Sequence, residues 1–269
     1  MTAFIHHFAF EFKTGLRNPT LMLMNYLFPL GFYALMGAVM IPINPGFAEV
    51  LIPAIVIVAV MVSTLLGLPG PLVEAREAGI FRSFKINGVP ALSILSIPAL
   101  STIFHALIVS TLIALAGGPL FKAAVPSSWP SFVWITLLTA FTFGSIGALI
   151  GVIATGSRST VLWSQLIFLP SMLIGGLMVP LSLLPESVRS LSGLLPTSYA
   201  MQAYVGYAYG QATIFDPGIS ALVLGTSGVL AFALAIYLFN WDSQNRARRG
   251  HPLLALLSWA PYVVGIFLV

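Results

Sequence analysis

The sequence predicts an all-α integral membrane protein built as a six-span helical bundle. Only 7% of its 269 residues are charged and its mean hydropathy is +1.01, so its helices have no polar face to present to water. Six apolar blocks carry no charged side chain, and a run of about 20 such residues crosses the hydrocarbon core as a helix. Nine of the 11 Lys and Arg residues fall on one side of a membrane when these blocks alternate in direction.

The apolar blocks divide the chain into three parts. Residues 1–17 precede the first span, residues 18–245 form the six-span domain, and residues 246–269 hold a basic cluster and a C-terminal apolar segment. The predicted spans cover residues 20–41, 50–68, 91–116, 131–155, 160–179 and 218–239.

The first 17 residues predict an amphipathic helix that lies on the membrane surface. Asn18-Pro19 ends it, because a residue before proline avoids the helical region. Lys13 and Arg17 lie opposite the apolar side, and Phe10 departs from the pattern. The alternative is a positively charged leader that only orients the first span. The apolar arc comprises Phe4, Ile5, Phe8, Phe12 and Leu16.

The basic residues predict the orientation. Only Lys122 and Arg189 fall on the minority side. Since cytoplasmic loops carry the excess of Lys and Arg, we expect the N-terminus to be cytoplasmic and the protein to lie in the cell (inner) membrane. The majority side comprises Lys13, Arg17, Arg76, Arg82, Lys85, Arg158, Arg246, Arg248 and Arg249.

The stretch 72–86, between the second and third spans, is dense in charge and predicts one short helix. Its polar side suits docking to a protein partner, because mixed charge lies there beside aromatic residues. A solvated loop that only carries orienting charge is the alternative. The predicted apolar side comprises Leu72, Ile80, Phe81 and Phe84, and the predicted exposed side comprises Glu74, Arg76, Glu77, Arg82 and Lys85.

Two further stretches predict how the helices pack. Gly147 and Gly151 in the fourth span have the small-xxx-small spacing that lets a neighbouring helix approach closely. Residues 181–209 are too apolar for a free loop and too rich in Pro and Gly to span, which predicts short re-entrant or interfacial helices. Their tyrosines, Tyr199, Tyr204, Tyr207 and Tyr209, suit the headgroup level.

Two of these stretches resemble the membrane permease subunits of type-2 ABC exporters. The run Glu74-Ala-Arg-Glu-Ala-Gly-Ile-Phe-Arg-Ser-Phe resembles the coupling helix with which that family docks on its nucleotide-binding subunit. The run Gly175-Gly-Leu-Met-Val-Pro-Leu-Ser-Leu-Leu-Pro-Glu, with Leu195-Pro-Thr-Ser-Tyr, is similar to the family's extracellular re-entrant helices. The chain departs from the family at Ile80, where Thr is usual, and at Leu195, where Asn is common. It also continues past the sixth span.

The resemblance implies roles for two sets of residues. The coupling set is Glu74, Arg76, Glu77, Gly79, Phe81 and Arg82. The re-entrant set is Pro180, Leu184, Pro185, Pro196 and Tyr199. The resemblance also implies two permease subunits working with two ATPase subunits.

The chemistry of the chain excludes several classes of protein. There is no Cys, no Gly-x-x-x-x-Gly-Lys-Ser/Thr phosphate loop, and no Asp, Glu, Lys or Arg inside the six spans. His105 is expected to hydrogen-bond a neighbouring helix, while His6 and His7 point apart, so no metal site is expected. We therefore expect no enzyme and no cofactor in this chain, with ATP and Mg in the partner ATPase. The positive loops face lipid, not nucleic acid.

The leading hypothesis is a permease subunit that forms its substrate path as a homodimer between spans one and five. Candidate path residues are Asn25, Gln165 and Phe168, although the pattern favours hydrogen bonds between helices for Asn25 and Gln165. A neutral, aromatic-rich interior favours a hydrophobic or amphiphilic cargo such as a drug or lipid. Polysaccharide or haem-related cargo is the alternative, as is an assembly subunit that transports nothing. The segment 253–269 is expected to be a short seventh span, with a re-entrant or interfacial hairpin as its alternative, because Pro261 lies in its middle.

Overall fold

The computed structural model describes residues 2–242 and 250–268, and within those ranges the chain is helical, with no β-strand. The predicted all-α fold class is therefore confirmed. The predicted basic cluster of Arg246, Arg248 and Arg249 lies outside the described residues.

The described helices are labelled in chain order. They are α1 (Thr2–Arg17), α2 (Pro19–Ile43), α3 (Leu51–Glu77), α4 (Ile80–Ile86), α5 (Ala91–Phe121), α6 (Trp129–Ile153), α7 (Ser157–Ile174), α8 (Glu186–Ser192), α9 (Pro196–Ala203), α10 (Pro217–Leu238) and α11 (Pro252–Ile266). Short 3₁₀ turns lie at Pro45–Glu49 and Leu181–Leu183, and α11 begins as a 3₁₀ helix over Pro252–Trp259.

Three of the long helices begin with a side-chain cap next to a proline. Asn18 Oδ1 accepts from the amide of Thr20 at 2.9 Å at the start of α2, and Asp216 Oδ1 accepts from the amide of Gly218 at 2.8 Å at the start of α10. Ser128 caps α6 in the same way. A proline in the first turn lacks an N–H that has no helical partner anyway, so cap and proline together set where each helix starts.

Five of the described helices are long and apolar enough to cross a membrane: α2, α3, α5, α6 and α10. They correspond to five of the six predicted spans. The predicted fifth span, 160–179, is α7, which is 18 residues long and is not among those five. Its first turn carries Arg158, it contains Gln165 and Pro170, and it ends at Ile174. These residues lower its apolarity, and its length is about 27 Å, just under the hydrocarbon thickness.

Helices α3 and α6 form the centre of the protein. Of their most apolar stretches, 94% and 83% are buried, compared with 22% for α2. Helix α5 packs on α3, and α10 packs along α6. A helix that is apolar on all sides lies either in the protein core or in lipid. Helix α3 lies in the core, whereas most of the surface of α2 is not covered by the protomer.

The α3–α6 contact is close because α6 presents glycine to it. A Cβ at Gly147 would overlap the backbone carbonyl of Thr64, and a Cβ at Gly151 would lie 2.9 Å from Leu72 Cδ1. The small-xxx-small prediction is therefore confirmed at Gly147 and Gly151.

The second span is longer than the sequence predicts. The sequence predicts that this span ends at residue 68, where the run Gly67-Leu68-Pro69-Gly70-Pro71 begins to favour a turn, and this prediction is wrong because the helix continues to Glu77. A π-helical stretch at Val62–Gly67 precedes the prolines, and Pro69 is the first residue of the α-helical turn that follows. Prolines in a first turn remove no required hydrogen bond, so the helix passes through them.

The two ends of the bundle are distinguished by the elements that meet there. One end, called the charge-bearing end below, contains the end of α3, α4, the turn between α6 and α7, and the end of α10. At the opposite end the amide of Ala124 donates to the carbonyl of Ala48 at 3.0 Å, and the amide of Ser128 donates to the carbonyl of Ala208 at 3.1 Å. Lys122 ends α5 near these contacts. Which end faces the cytoplasm stays a prediction.

Helix α11 runs antiparallel to α10. Gly250 lies against Leu238 at the charge-bearing end, Ser227 Oγ donates to the carbonyl of Ser258 at 2.9 Å, and Gly265 lies against Val223. Its 8 residues of 3₁₀ helix and 7 of α-helix extend about 26 Å. Whether this segment crosses the membrane stays a prediction.

Replacing Gly147 by Ala should destabilise the protein, because the new methyl group would overlap the Thr64 carbonyl. Overpacking of this kind costs about 1–3 kcal/mol. Gly225→Ala in α10 is the matched control, since the nearest atom to its added Cβ is 3.5 Å away. Thermal unfolding of the purified proteins in detergent should show a lower midpoint for G147A only. Equal midpoints would contradict the close packing of α3 on α6.

A cysteine added after Val269 should react with a membrane-impermeant thiol reagent in whole cells. The chain has no other Cys, so labelling reports this position alone. We expect labelling because α11 starts beside the charge-bearing end and runs along α10 to the other end. Labelling that appears only after lysis would show that the segment does not cross.

Candidate functional site

An exposed platform of mixed charge lies where α3 ends and α4 begins. The platform consists of Glu74, Glu77, Ile80, Arg82, Lys85 and Ile86. Ile86 is 80% exposed and Ile80 is 46% exposed. Apolar side chains left in solvent among charges of both signs are typical of a surface that binds another protein.

The platform is formed by two helices that meet at Gly79. The stretch 72–86 was expected to be one helix, and this is wrong because α3 ends at Glu77 and α4 starts at Ile80. Gly79 has a φ of 75°, in the left-handed region that L side chains rarely adopt. Glycine adopts it without steric cost, so the chain turns there and α4 leaves the axis of α3.

Arg76 anchors the platform to the core. It was expected to be exposed, and this expectation is wrong because only 7% of it is exposed. Its guanidinium donates to the carbonyls of Val152 at 2.8 Å and Gly151 at 3.4 Å, and also to that of Ala154. The last carbonyls of a helix have no partner within it and carry its partial negative charge, so Arg76 satisfies and neutralises the end of α6.

Helix α4 is tied to the end of α10 as well. Phe81 is buried, and its ring centroid lies 5.4 Å from that of Phe239. Arg82 Nη2 lies 2.5 Å from Asp242 Oδ2. Of the predicted apolar side, Leu72 and Phe81 are buried, whereas Ile80 belongs to the exposed platform. Two different parts of the bundle therefore hold the platform, α6 through Arg76 and α10 through Phe81 and Arg82.

The N-terminal helix packs against α5 and reaches α4. The rings of Phe12 and His105 stack with centroids 4.3 Å apart, and those of His7 and Phe84 meet edge to face at 5.8 Å. Burial raises the pKa of Glu11, and His7, 3.6 Å away, opposes that rise. Phe4, Ile5, Phe10 and Leu16 remain exposed, and placement of this helix on the membrane surface stays a prediction.

His105 joins helices, as the sequence predicts. Its Nδ1 lies 2.6 Å from the hydroxyl of Tyr26 in α2. Within the described ranges no three His, Asp or Glu side chains come close enough together to hold a metal ion.

The three predicted path residues lie on two sides of α3. Asn25 is 3% exposed and faces Gly67 of α3, and its Oδ1 has no hydrogen-bond partner. Gln165 follows Ser164, whose hydroxyl donates to the carbonyl of Leu65 at 2.5 Å. Phe168 is buried on the same side of α7.

Residues 181–209 fold into the two short helices α8 and α9, both packed onto the bundle. Pro180 and Pro185 precede the Leu181–Leu183 turn and α8, and Pro196 begins α9, which is buried throughout. Arg189 donates to the carbonyls of Leu181 and Leu184, both at 3.1 Å, which closes that turn. The re-entrant placement of these residues stays a prediction.

The tyrosines of this region do not all face lipid. Tyr199 and Tyr204 are fully buried in the protomer, and the placement of the tyrosines at the headgroup level stays a prediction. The hydroxyl of Tyr204 donates to Thr136 Oγ1 at 2.8 Å, while Tyr207 is 45% exposed. A buried tyrosine needs a hydrogen-bond partner for its hydroxyl group. A threonine on a facing helix supplies that partner as well as the headgroup region does.

Comparison with known proteins identifies similar sequences. A family model described as ABC-2 type transporter matches residues 2–209. Inner membrane transport permease YadH of Escherichia coli (strain K12) is 36% identical over 123 residues, which is 45% of each chain. Putative transport permease YvfS of Bacillus subtilis (strain 168) is 25% identical over 193 residues, 70% of this chain and 78% of that protein.

Nodulation protein J of Sinorhizobium fredii (strain NBRC 101917 / NGR234) is 29% identical over 79 residues, 28% of this chain and 30% of that protein. The matches to nodulation protein J and YadH thus span less than half the length of each. No solved structure is significantly similar to the chain.

Arg76→Ala should destabilise the protein far more than Arg82→Ala. The first change leaves buried carbonyls of α6 without a donor, at about 1–3 kcal/mol for each, whereas an exposed ion pair contributes at most about 1 kcal/mol. Thermal unfolding in detergent measures both. Similar midpoints for the two variants would contradict the anchoring role of Arg76.

Proposed function

Because the chain belongs to the ABC-2 type transporter family, we propose that it is the membrane-spanning permease subunit of an ATP-driven exporter. A separate ATPase subunit binds ATP with Mg and hydrolyses it, and this chain provides the path through the membrane. The sequence supports this division, since it contains no phosphate-binding loop. In this proposal the charge-bearing end and the N-terminus face the cytoplasm.

The observation that carries the proposal is the exposed platform. Glu74, Glu77, Arg82 and Lys85 offer both signs of charge, and Ile86 offers apolar area that a partner would bury. An interface with a buried apolar centre and a charged rim is the common form of a stable protein contact. The ATPase subunit is the partner proposed for it.

The contacts of the platform support transmission of motion from that partner. A displacement of α4 would be transmitted to α10 through the contact of Phe81 with Phe239. A displacement of the end of α3 would be transmitted to α6 through Arg76. These helices are packed as rigid bodies, so small displacements at the platform move whole helices rather than loops. The platform thereby couples ATP hydrolysis to the path.

The exposed surface of the protomer supports a homodimer. Helix α7 exposes one apolar stripe, with Leu162 71%, Leu169 53% and Leu173 66% exposed, and α2 is mostly unburied. If the α7 stripe of one copy packs against the exposed surface of a second copy, Gln165 of the first copy faces the second. We propose that the path forms there.

The proposed cargo is a hydrophobic or amphiphilic compound. The support is the composition of the described spans, in which no Asp, Glu, Lys or Arg lies at mid-membrane to select a charged solute. An assembly subunit without transport is disfavoured by the similarity to YadH and YvfS, both named as transport permeases.

Replacing Glu74, Glu77 and Arg82 together by Ala should weaken the complex with the co-expressed cognate ATPase, or uncouple hydrolysis from transport. Removing Arg82 also breaks its ion pair with Asp242, so Arg82→Ala alone is the variant that shows how much of the effect comes from that lost contact. The exposed ion pair contributes at most about 1 kcal/mol, so the triple variant should keep its fold. Pull-down of the ATPase and its hydrolysis rate in proteoliposomes measure the effect.

The control for this experiment is Glu186→Ala, an exposed acid at the start of α8. It should leave assembly and hydrolysis at the wild-type level. Unchanged assembly and transport in the triple variant would show that the platform does not bind the ATPase subunit.

A cysteine in place of Leu173 should form a disulfide between two copies under mild oxidation. Leu222→Cys is the control, because Leu222 of α10 is 64% exposed but lies outside the α7 stripe. Non-reducing gel electrophoresis of membranes distinguishes the two. Equal cross-linking at both positions, or none at Leu173, would refute the proposed dimer face.

A further inference from the structure

A cavity of about 150 Å³ lies at the end of the bundle opposite the charge-bearing end. Its walls come from Val50 just before α3, the turn that follows α7, helix α9 and the loop that precedes α10. Helices α3 and α10 are long enough to cross the membrane and both begin here, so the cavity lies where the bundle meets water at this end. Its volume is that of about five water molecules, enough for one small solute.

Gln202 brings an unpaired hydrogen-bond donor to this cavity. The residue is only 7% exposed, and its Oε1 accepts from the amides of Ile214 at 2.7 Å and Phe215 at 3.4 Å. Because two N–H groups can bind only the oxygen of a side-chain amide, these bonds fix which way the amide points. Its Nε2 has no acceptor among the residues that the structure describes. This nitrogen is not sealed from solvent, and the open space that Gln202 lines is the cavity.

The walls of the cavity are held in place by hydrogen bonds to the backbone. Arg189 donates to the carbonyls of Leu181 at 3.1 Å and Ser182 at 3.4 Å, which fixes the turn after α7. On the other side, the amide of Gln211 donates to the carbonyl of Val205 at 3.1 Å. The cavity is therefore formed before any ligand enters, as is usual for sites that bind small molecules.

We propose that this cavity binds a small neutral polyol, such as a monosaccharide, from the aqueous phase at that end of the bundle. No charged side chain is among its lining residues, so a charged solute would enter without a counter-charge. Gln202 Nε2 donates to a ligand oxygen, while exposed Ser182 and Gln211 at the rim can both donate and accept, as hydroxyl groups require. The carbon face of the ligand packs on the apolar wall, which comprises Val50, Leu181, Met201 and Val205.

The walls favour a small solute over a lipid or a second copy of the chain. A lipid phosphate needs a cation, and Arg189, which lies next to the cavity without lining it, already donates to three carbonyls of its own turn. Helix α7, which carries the proposed dimer stripe, contributes no residue to the cavity. The site belongs to one protomer and does not depend on the proposed transport function.

The test uses the full chain in phosphatidylcholine nanodiscs that contain neither glycerol nor a sugar detergent. Saturation-transfer NMR should detect binding of D-glucose but not of D-glucuronate, in which a carboxylate replaces one hydroxymethyl group. Gln202→Glu keeps an oxygen for the amides of Ile214 and Phe215 and replaces the N–H donors that face the cavity. This variant should bind D-glucose at least about tenfold more weakly, equivalent to 1.4 kcal/mol.

The matched control is Asn44→Asp, which makes the same amide-to-acid change at the same end of the bundle. Asn44 Oδ1 also accepts a backbone bond, from the amide of Gly46 at 3.2 Å, but this residue does not line the cavity. It should bind D-glucose as the wild type does. Should Gln202→Glu fail to fold, Ala212→Trp replaces it, because this exposed residue lines the cavity and a ring there fills it.

Three results would overturn the proposal. The first is a wild-type chain that does not bind D-glucose, which would mean that water alone fills the cavity or that a second copy covers it. The second is equal loss of binding in Gln202→Glu and Asn44→Asp. The third is binding of D-glucuronate as strong as that of D-glucose.

Discussion

The direct contact between α3 and α6 determines the positions of the other functional parts. Gly147 and Gly151 let the backbones approach, and this approach brings Arg76 within reach of the carbonyls that end α6. The carbonyls of the helix end satisfy the buried guanidinium, and the same bonds satisfy the helix end. The packing of two apolar helices and the position of a charged group at their end are thus one arrangement.

That arrangement ties the exposed platform to the core although it lies at the edge of the molecule. Glu74 and Glu77 flank Arg76 on the same helix, so their positions follow from its bonds to residues 151–154. Gly79 then turns the chain, and Phe81 inserts at the end of α10. If the platform binds the partner proposed for it, its contacts with α6 and α10 allow it to move both helices together.

Much of the fold could be predicted from local patterns. Uncharged runs of about 20 residues located α2, α3, α5, α6 and α10, and the glycine spacing in α6 predicted its close packing. Local patterns failed where a feature that they do not contain determined the structure. Arg76 looked exposed, because its acceptors lie 75 to 78 positions further along the chain. Pro69 looked like a helix end, because nothing local announces the π-helical stretch before it. The hydrogen bond of Tyr204 could not be predicted, because its partner Thr136 belongs to another helix.

The central claim is that the platform binds the ATPase subunit while Arg76 stays bonded to α6. A structure of the complex of this chain with its cognate ATPase, determined by electron cryo-microscopy, tests it most directly. The account predicts that Glu74, Glu77 and Arg82 contact the ATPase and that the Arg76 guanidinium remains on the carbonyls of residues 151–154. An ATPase bound elsewhere, or an Arg76 side chain turned out toward it, would contradict the account.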